Sequence, residues 1–151
     1  MRSEILGKVA VDLLSIPPLV FRIIRKKLVN VNLADIYVDI KFPHFEIMRV
    51  LKEEGTLHPA EIGKKLLIAK AQMTYLIDKL VDLNLVEREM DSTDRRTLNI
   101  ALTDKGWSLL EEQDNWVINA MRDNMSSLTE DELEILSTSL RNLRDTLFKL
   151  Q

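Results

Sequence analysis

Between Leu83 and Gly106 the chain reads LNLVEREMDSTDRRTLNIALTDKG, and this segment limits the possible folds more than any other. Two runs of strand-forming residues, Val86 to Met90 and Thr97 to Leu102, flank Asp91, Ser92, Thr93 and Asp94, so the pattern predicts a β-hairpin with a polar loop. In the second run Leu98, Ile100 and Leu102 alternate, which predicts one buried face and one wet face. Arg95 and Arg96 fall where the loop turns back, placing two permanently charged guanidinium groups at the tip.

The segments around the hairpin carry helical periods. From Pro18 to about Val31, Leu19, Val20, Ile23, Ile24, Leu28 and Val31 recur at three and four, and proline suits a first helical turn. A second helix is expected from Pro43 to Glu54 with Phe45, Met48, Val50 and Leu51 inward and Gly55 as its stop. After the bridge Thr56-Leu57, a short third helix runs from Pro59 to Leu66, burying Ile62 and Leu66. A fourth spans Lys70 to Leu83, with Met73, Ile77 and Leu80 toward the core and Lys70, Gln72, Tyr75, Asp78, Lys79 and Asp82 on the opposite face. Asn84 follows, the non-glycine residue best suited to a left-handed helix end.

Thr103 reads as the cap of a fifth helix to about Asp123, despite Gly106 in its first turn. The sixth helix begins at a capping box, Thr129 with Glu132, framed by Leu128 and Leu133 as a hydrophobic staple. Within it Leu133, Leu136, Leu140, Leu143, Leu147 and Leu150 alternate spacings of three and four, a seam that fits either an internal core stripe or a partner helix.

Composition narrows the class. With 151 residues, 46% hydrophobic and 30% charged, the chain fits one ordinary globular domain. It has no cysteine, which removes disulfides, thiolate metal sites and direct thiol redox sensing, and fits a cytoplasmic location. Lys8, Asp12 and the Pro17-Pro18 pair interrupt the apolar stretch from Ile5 to Phe21, so it reads as packing surface, not a membrane span or signal peptide. The net charge is −3, and Pro43 to Thr103 holds nine Lys or Arg against ten Asp or Glu, so any basic surface must be assembled by folding. Local clusters exist at Arg22, Arg25, Lys26 and Lys27, and at Arg95 and Arg96.

Helix, short helix, turn, exposed helix and charged hairpin, in that order, is the order of a mainly α winged helix-turn-helix. An exposed helix fits a DNA major groove, where its first turns reach base edges while phosphate contacts fix its position. Lys70, Gln72, Thr74 and Tyr75 are the candidates: Gln72 for adenine, Lys70 and Lys79 for guanine or phosphate, Thr74 and Tyr75 through hydroxyl or apolar surface.

Met73-Thr-Tyr-Leu-Ile-Asp-Lys-Leu80, Leu85-Val-Glu-Arg88, Asp94-Arg-Arg96 and Ala101-Leu-Thr-Asp-Lys-Gly106 together resemble the MarR family of transcription regulators, and the resemblance covers nearly the whole chain. It implies a single domain over 1–151, with about 1–36 and 104–151 as dimerisation helices and about 43–103 as a DNA-binding lobe. It further implies a homodimer on a pseudo-palindromic double-stranded operator, most often a repressor. A small anionic or aromatic effector would bind between the dimerisation and DNA-binding regions and shift the separation of the two heads. By motif, Asp94 would orient Arg96 through a charge-assisted hydrogen bond, Arg96 would enter the minor groove, and Arg95 would meet phosphate. Asn84 stands where the family commonly has glycine.

Other features point to plainer roles. Trp107 and Trp116 lie nine apart, on nearly opposite helical faces, and form no single aromatic box. His44 and His58 each adjoin a proline at a predicted helix start; they suit surface or cap roles better than a metal site completed by Asp39 or Glu46. No glycine-rich phosphate cradle or catalytic constellation is present, so neither an enzyme nor a cofactor is expected. The rival reading is a winged-helix adaptor that uses the same face to bind protein, and net acidity motivates it.

Overall fold

In a computed structural model of the chain the described residues are 1–28 and 40–151. Among them the helices are α1 (Arg2–Leu28), α2 (Phe42–Glu54), α3 (Pro59–Leu66), α4 (Lys70–Asp82), α5 (Asp104–Met125) and α6 (Glu130–Phe148), and the strands are β1 (Val86–Met90) and β2 (Leu98–Leu102). The chain divides into two compact units, Met1–Asn30 with Trp116–Gln151, and Val31–Asn115, so that α5 contributes to both.

The second unit owns the apolar core. Ile47, Met48 and Leu51 of α2, Ile62 of α3, and Met73, Leu76, Ile77 and Leu80 of α4 cluster with Leu85, Val86 and Ile100 of the hairpin and Leu109 and Leu110 of α5. On α2 the buried stripe is His44, Ile47, Met48 and Leu51, spaced i, i+3, i+4, i+7, while Phe45 and Val50 are only half-buried. A polar residue at the head of that stripe disguised its phase. Likewise Leu76 joins the expected inward residues of α4.

The connections are specified locally. His58 caps α3: its Nδ1 accepts from the Ala60 N–H at 3.0 Å, and Glu61 Oε1 accepts the His58 N–H at 3.3 Å. Gly55 closes α2 at φ +84°, where a side chain would be strained. Asn84 sits at φ 59°, the left-handed conformation expected of it. Thr103 caps α5 by accepting the Gly106 N–H at 3.0 Å and donates to the Asn84 carbonyl at 2.7 Å. A Cβ on Gly106 would lie 2.2 Å from the Leu85 carbonyl oxygen, so this glycine is required by close approach of helix to hairpin.

The hairpin pairs Val86 with Leu102, Arg88 with Ile100 and Met90 with Leu98. Leu57 adds a bridge on the other side of Ile100, with N–H to carbonyl distances of 3.1 and 2.7 Å. The expected clean alternation on β2 does not hold: Ile100 and Ala101 are buried, Leu102 is half-buried, and Leu98 is exposed. Leu98 and its cross-strand partner Met90 lie toward the free end, beyond the helices that cover Ile100.

In the other unit, α1 starts well before the expected Pro18 and carries Pro17 and Pro18 inside it. Each proline removes one helical hydrogen bond, but the stripe Ile5, Val9, Leu13, Ile16, Val20, Ile23 keeps its spacing of three and four across both, and the helix is exposed enough for water to serve the freed carbonyls. Val31, the expected end of that stripe, and Asp39 lie outside the described residues. The capping box that starts α6 forms both bonds, Glu132 N–H to Thr129 Oγ1 at 3.2 Å and Thr129 N–H to Glu132 Oε2 at 2.8 Å. No side chain of α6 is buried; Leu140, Leu143, Leu147 and Phe148 line one open groove of about 350 Å³.

Candidate nucleic-acid interface

The core stripe of α4 turns the rest of that helix outward. Lys70, Gln72, Thr74 and Tyr75 are exposed, Tyr75 by 73%, and Lys79 stands at the edge of the stripe, half-buried. The Thr74 hydroxyl donates to the Lys70 carbonyl at 3.1 Å, so its proton is committed to its own helix. Nothing caps the start of α4 with a side chain, because Ala69 occupies the N-cap position.

An ion pair between Arg88 on β1 and Asp78 on α4 ties the hairpin beside this open face. It also offsets one of the two carboxylates that α4 carries. Two other acidic side chains of the lobe are paired: Glu54 with Lys65 at 2.8 Å, and Asp114 of α5 with Arg49 at 2.6 Å and Lys52 at 3.3 Å, Lys52 also lying 5.9 Å from the Trp107 ring centre. Burial opposes ionisation of Asp114, but Arg49 and Lys52 outweigh it and hold the carboxyl below its ordinary value. Lys64, Lys70 and Arg95 have no ion-pair partner among the described residues. Folding therefore leaves these three cations outward without an acid paired to them.

Asp91 organises the wing loop. One carboxylate oxygen accepts from the Thr93 hydroxyl at 2.6 Å and from the Thr93 and Asp94 N–H groups at 3.1 and 3.0 Å, while the other accepts from Asn99 at 2.9 Å. The Thr93 and Asn99 bonds come first among the causes that lower its pKa to about 2. Asp94 holds Arg96 differently from the motif's implication: the hydrogen bond goes to the Arg96 backbone N–H at 3.0 Å, with Nε 3.5 Å from the same oxygen. The Arg96 side chain is 94% exposed.

His44 is a buried cap, not a surface one. Its Nδ1 accepts the Lys41 N–H at 3.0 Å, which leaves the neutral ring's proton on Nε2, a buried atom with no partner among the described residues. Burial first, then the charges of Lys41 and Lys79, hold its pKa below 6.5. Among the described residues no group of three His or carboxylate side chains could hold a metal ion, and no helix is long and apolar enough to cross a membrane.

The sequence could have revealed Asp91, since Asp-x-Thr is a local turn pattern. It could not reveal Arg88 with Asp78, which lie ten residues apart on different elements.

A helix-turn-helix whose second helix opens outward, with a hairpin tied beside it, defines the winged helix-turn-helix class. A model described as MarR family matches residues 38–97. The chain is 30% identical over 99 residues to the HTH-type transcriptional regulator MhqR of Bacillus subtilis, covering 66% of this chain and 68% of that one. It is 32% identical over 109 residues to the HTH-type transcriptional regulator TtmR of Methylorubrum extorquens, covering 72% and 55%. In fold it is similar to a MarR family protein from Bacillus stearothermophilus, with a TM-score of 0.72 at 24% identity over 98% of this chain and 99% of that chain. A transcriptional regulator from Thermotoga maritima gives 0.72 at 23% over 95% and 96%. The chain belongs to the MarR family, and it is a DNA-binding transcription regulator.

Proposed function

We propose that the protein acts in the cytoplasm as a homodimeric repressor, without enzymatic activity, on a pseudo-palindromic double-stranded operator. Each lobe lays α4 in the major groove, with Gln72 reading a base edge and Lys70 meeting guanine or phosphate; Thr74 and Tyr75 offer apolar surface and Tyr75 a hydroxyl. Arg96 enters the adjacent minor groove and Arg95 meets phosphate. The observation that carries this reading is the exposed run from Lys70 to Tyr75 beside a hairpin held by Arg88 and Asp78.

The leucine seam of α6 supports the dimer, because an apolar stripe with no buried member in the single chain gains most by meeting a copy of itself. Relief by a small anionic or aromatic effector follows if that molecule binds more tightly to a head spacing that does not match the operator.

Selection of bound fragments from the source genome at two salt concentrations tests the reading. The expected result is one enriched inverted repeat, with Arg96→Ala weakening it and lowering the salt slope by about one. Gln72→Ala is expected to relax preference at one base pair per half-site. Enrichment of no sequence at either salt, with capture of a protein partner by the same face, selects the adaptor instead.

A further inference from the structure

Leu67 occupies the turn between α3 and α4 at φ 56°, ψ 43°, and its side chain is 93% exposed. Glycine takes this left-handed conformation without a Cβ clash, so a leucine here carries backbone strain and gains no burial in return. A single exposed leucine is ordinary, and its surroundings are what set this one apart.

Leu67 shares a groove of about 850 Å³ with Ala69, Lys70, Met73 and Thr74 on the α4 side and Lys64 on the α3 side. No Asp or Glu lines that groove, in a chain whose net charge is −3. The groove is therefore continuous with the outward face of α4, apolar at its centre and cationic at Lys64 and Lys70. Thr74 brings it a methyl group while its hydroxyl proton is bound to the Lys70 carbonyl. The small Ala69 and Ala71 leave the start of α4 unobstructed.

Of the groups a major groove displays, one is apolar: the C5 methyl of thymine. We propose that Leu67 is a specificity-determining residue that packs against a thymine C5 methyl in the operator, with Lys64 and Lys70 on the flanking phosphates. The proposal rests on the DNA-binding reading of the lobe and adds a base contact from outside the recognition helix. The strained turn then holds an apolar knob ahead of the helix.

The test replaces each operator thymine by deoxyuracil, which removes the methyl and leaves pairing unchanged, and measures affinity for the wild type, Leu67→Gly and Leu67→Ala. At one thymine per half-site the wild type loses about fourfold per methyl, the worth of one buried methyl-sized group. Leu67→Gly and Leu67→Ala bind the thymine operator more weakly and no longer distinguish thymine from deoxyuracil there, while Leu67→Gly unfolds at the same or a higher temperature than the wild type. Three results would overturn the proposal. Both variants could keep the full thymine preference, or bind as the wild type does, or the wild type could be indifferent to every replacement. Binding of no duplex by the wild type would overturn the DNA reading as well. Loss of binding by Gln72→Ala with none by Leu67→Gly sinks the Leu67 contact alone.

Discussion

The lobe and the terminal helices spend their apolar residues in opposite ways. In the lobe, Ile47, Met48, Ile62, Leu80, Leu85 and Leu110 are all but inaccessible, and polar links such as Arg88 with Asp78 are laid over a finished core. In the other unit α6 buries nothing, and on α1 Ile5, Val9, Ile16 and Val20 are each at least 39% exposed. The difference teaches that the lobe holds its shape by its own packing, whereas the terminal helices present an apolar surface left open in the single chain, the surface that the proposed dimer would cover. In the proposed dimer, DNA reading depends on the first, and the pairing of two heads on the second.

The largest expected effect attacks the terminal unit. Leu140→Asp with Leu147→Asp places four charges in the proposed dimer seam, and at about 1.5 kcal/mol per lost leucine the association weakens by about 6 kcal/mol. Light scattering should report a monomer whose lobe still folds; loss of lobe structure in that monomer would break the comparison. Gly106→Ala attacks the other side. Alanine normally favours a helix over glycine, but here its Cβ would meet the Leu85 carbonyl, so the lobe is expected to lose about 3 kcal/mol. Thermal unfolding with amide exchange should place that loss in 42–110 and leave α6 protected.

A smaller effect follows from His44. A ring whose folded pKa is depressed contributes stability that is complete above the unfolded value of 6.5 and is lost as pH falls through the folded value. His44→Asn keeps an acceptor for the Lys41 N–H and should flatten that pH dependence, while His44→Ala also removes the cap, worth about 1 kcal/mol. Denaturant titrations between pH 5 and 8 would show it, and an unchanged slope in His44→Asn would assign the titration elsewhere.

The smallest effect is confined to the wing. Asp91 is also depressed, to about 2, so its ordering of the loop is present above 3.8 and lost as pH falls through the folded value. Asp91→Ala should disorder 91–97 at neutral pH, seen by backbone relaxation, and reduce operator affinity severalfold with little change in melting temperature.

Local signals in the sequence were dependable wherever the chemistry is complete within a few residues. The Thr129 and Glu132 box, the left-handed Asn84 and the presence of the hairpin all needed only near neighbours. The exposed face of α4 was also legible, because its opposite stripe is apolar throughout. What failed had partners far along the chain. His44 reads as a polar residue beside a proline, and only the packing of the lobe makes it part of the core. Gly106 reads as a weak helix start, and only the nearness of Leu85 makes it necessary. Pro17 and Pro18 read as a boundary, yet the stripe across them continued the helix.

Periodicity, caps and turn residues by themselves determined the order of the elements from α2 to α6, because each depends on short-range sterics and hydrogen bonds, and the motifs from Met73 to Gly106 carried the resemblance to the family. The tertiary structure alone decided which charged side chains the reading face leaves unpaired. Composition gives that region no surplus of cations, and each ion pair uses one cation per acid, so what folding adds is placement: Arg88 is set against Asp78 and Lys65 against Glu54, while Lys64, Lys70 and Arg95 are left toward solvent. Coulomb interactions act over distances in space, and distance in space is what a linear sequence does not contain.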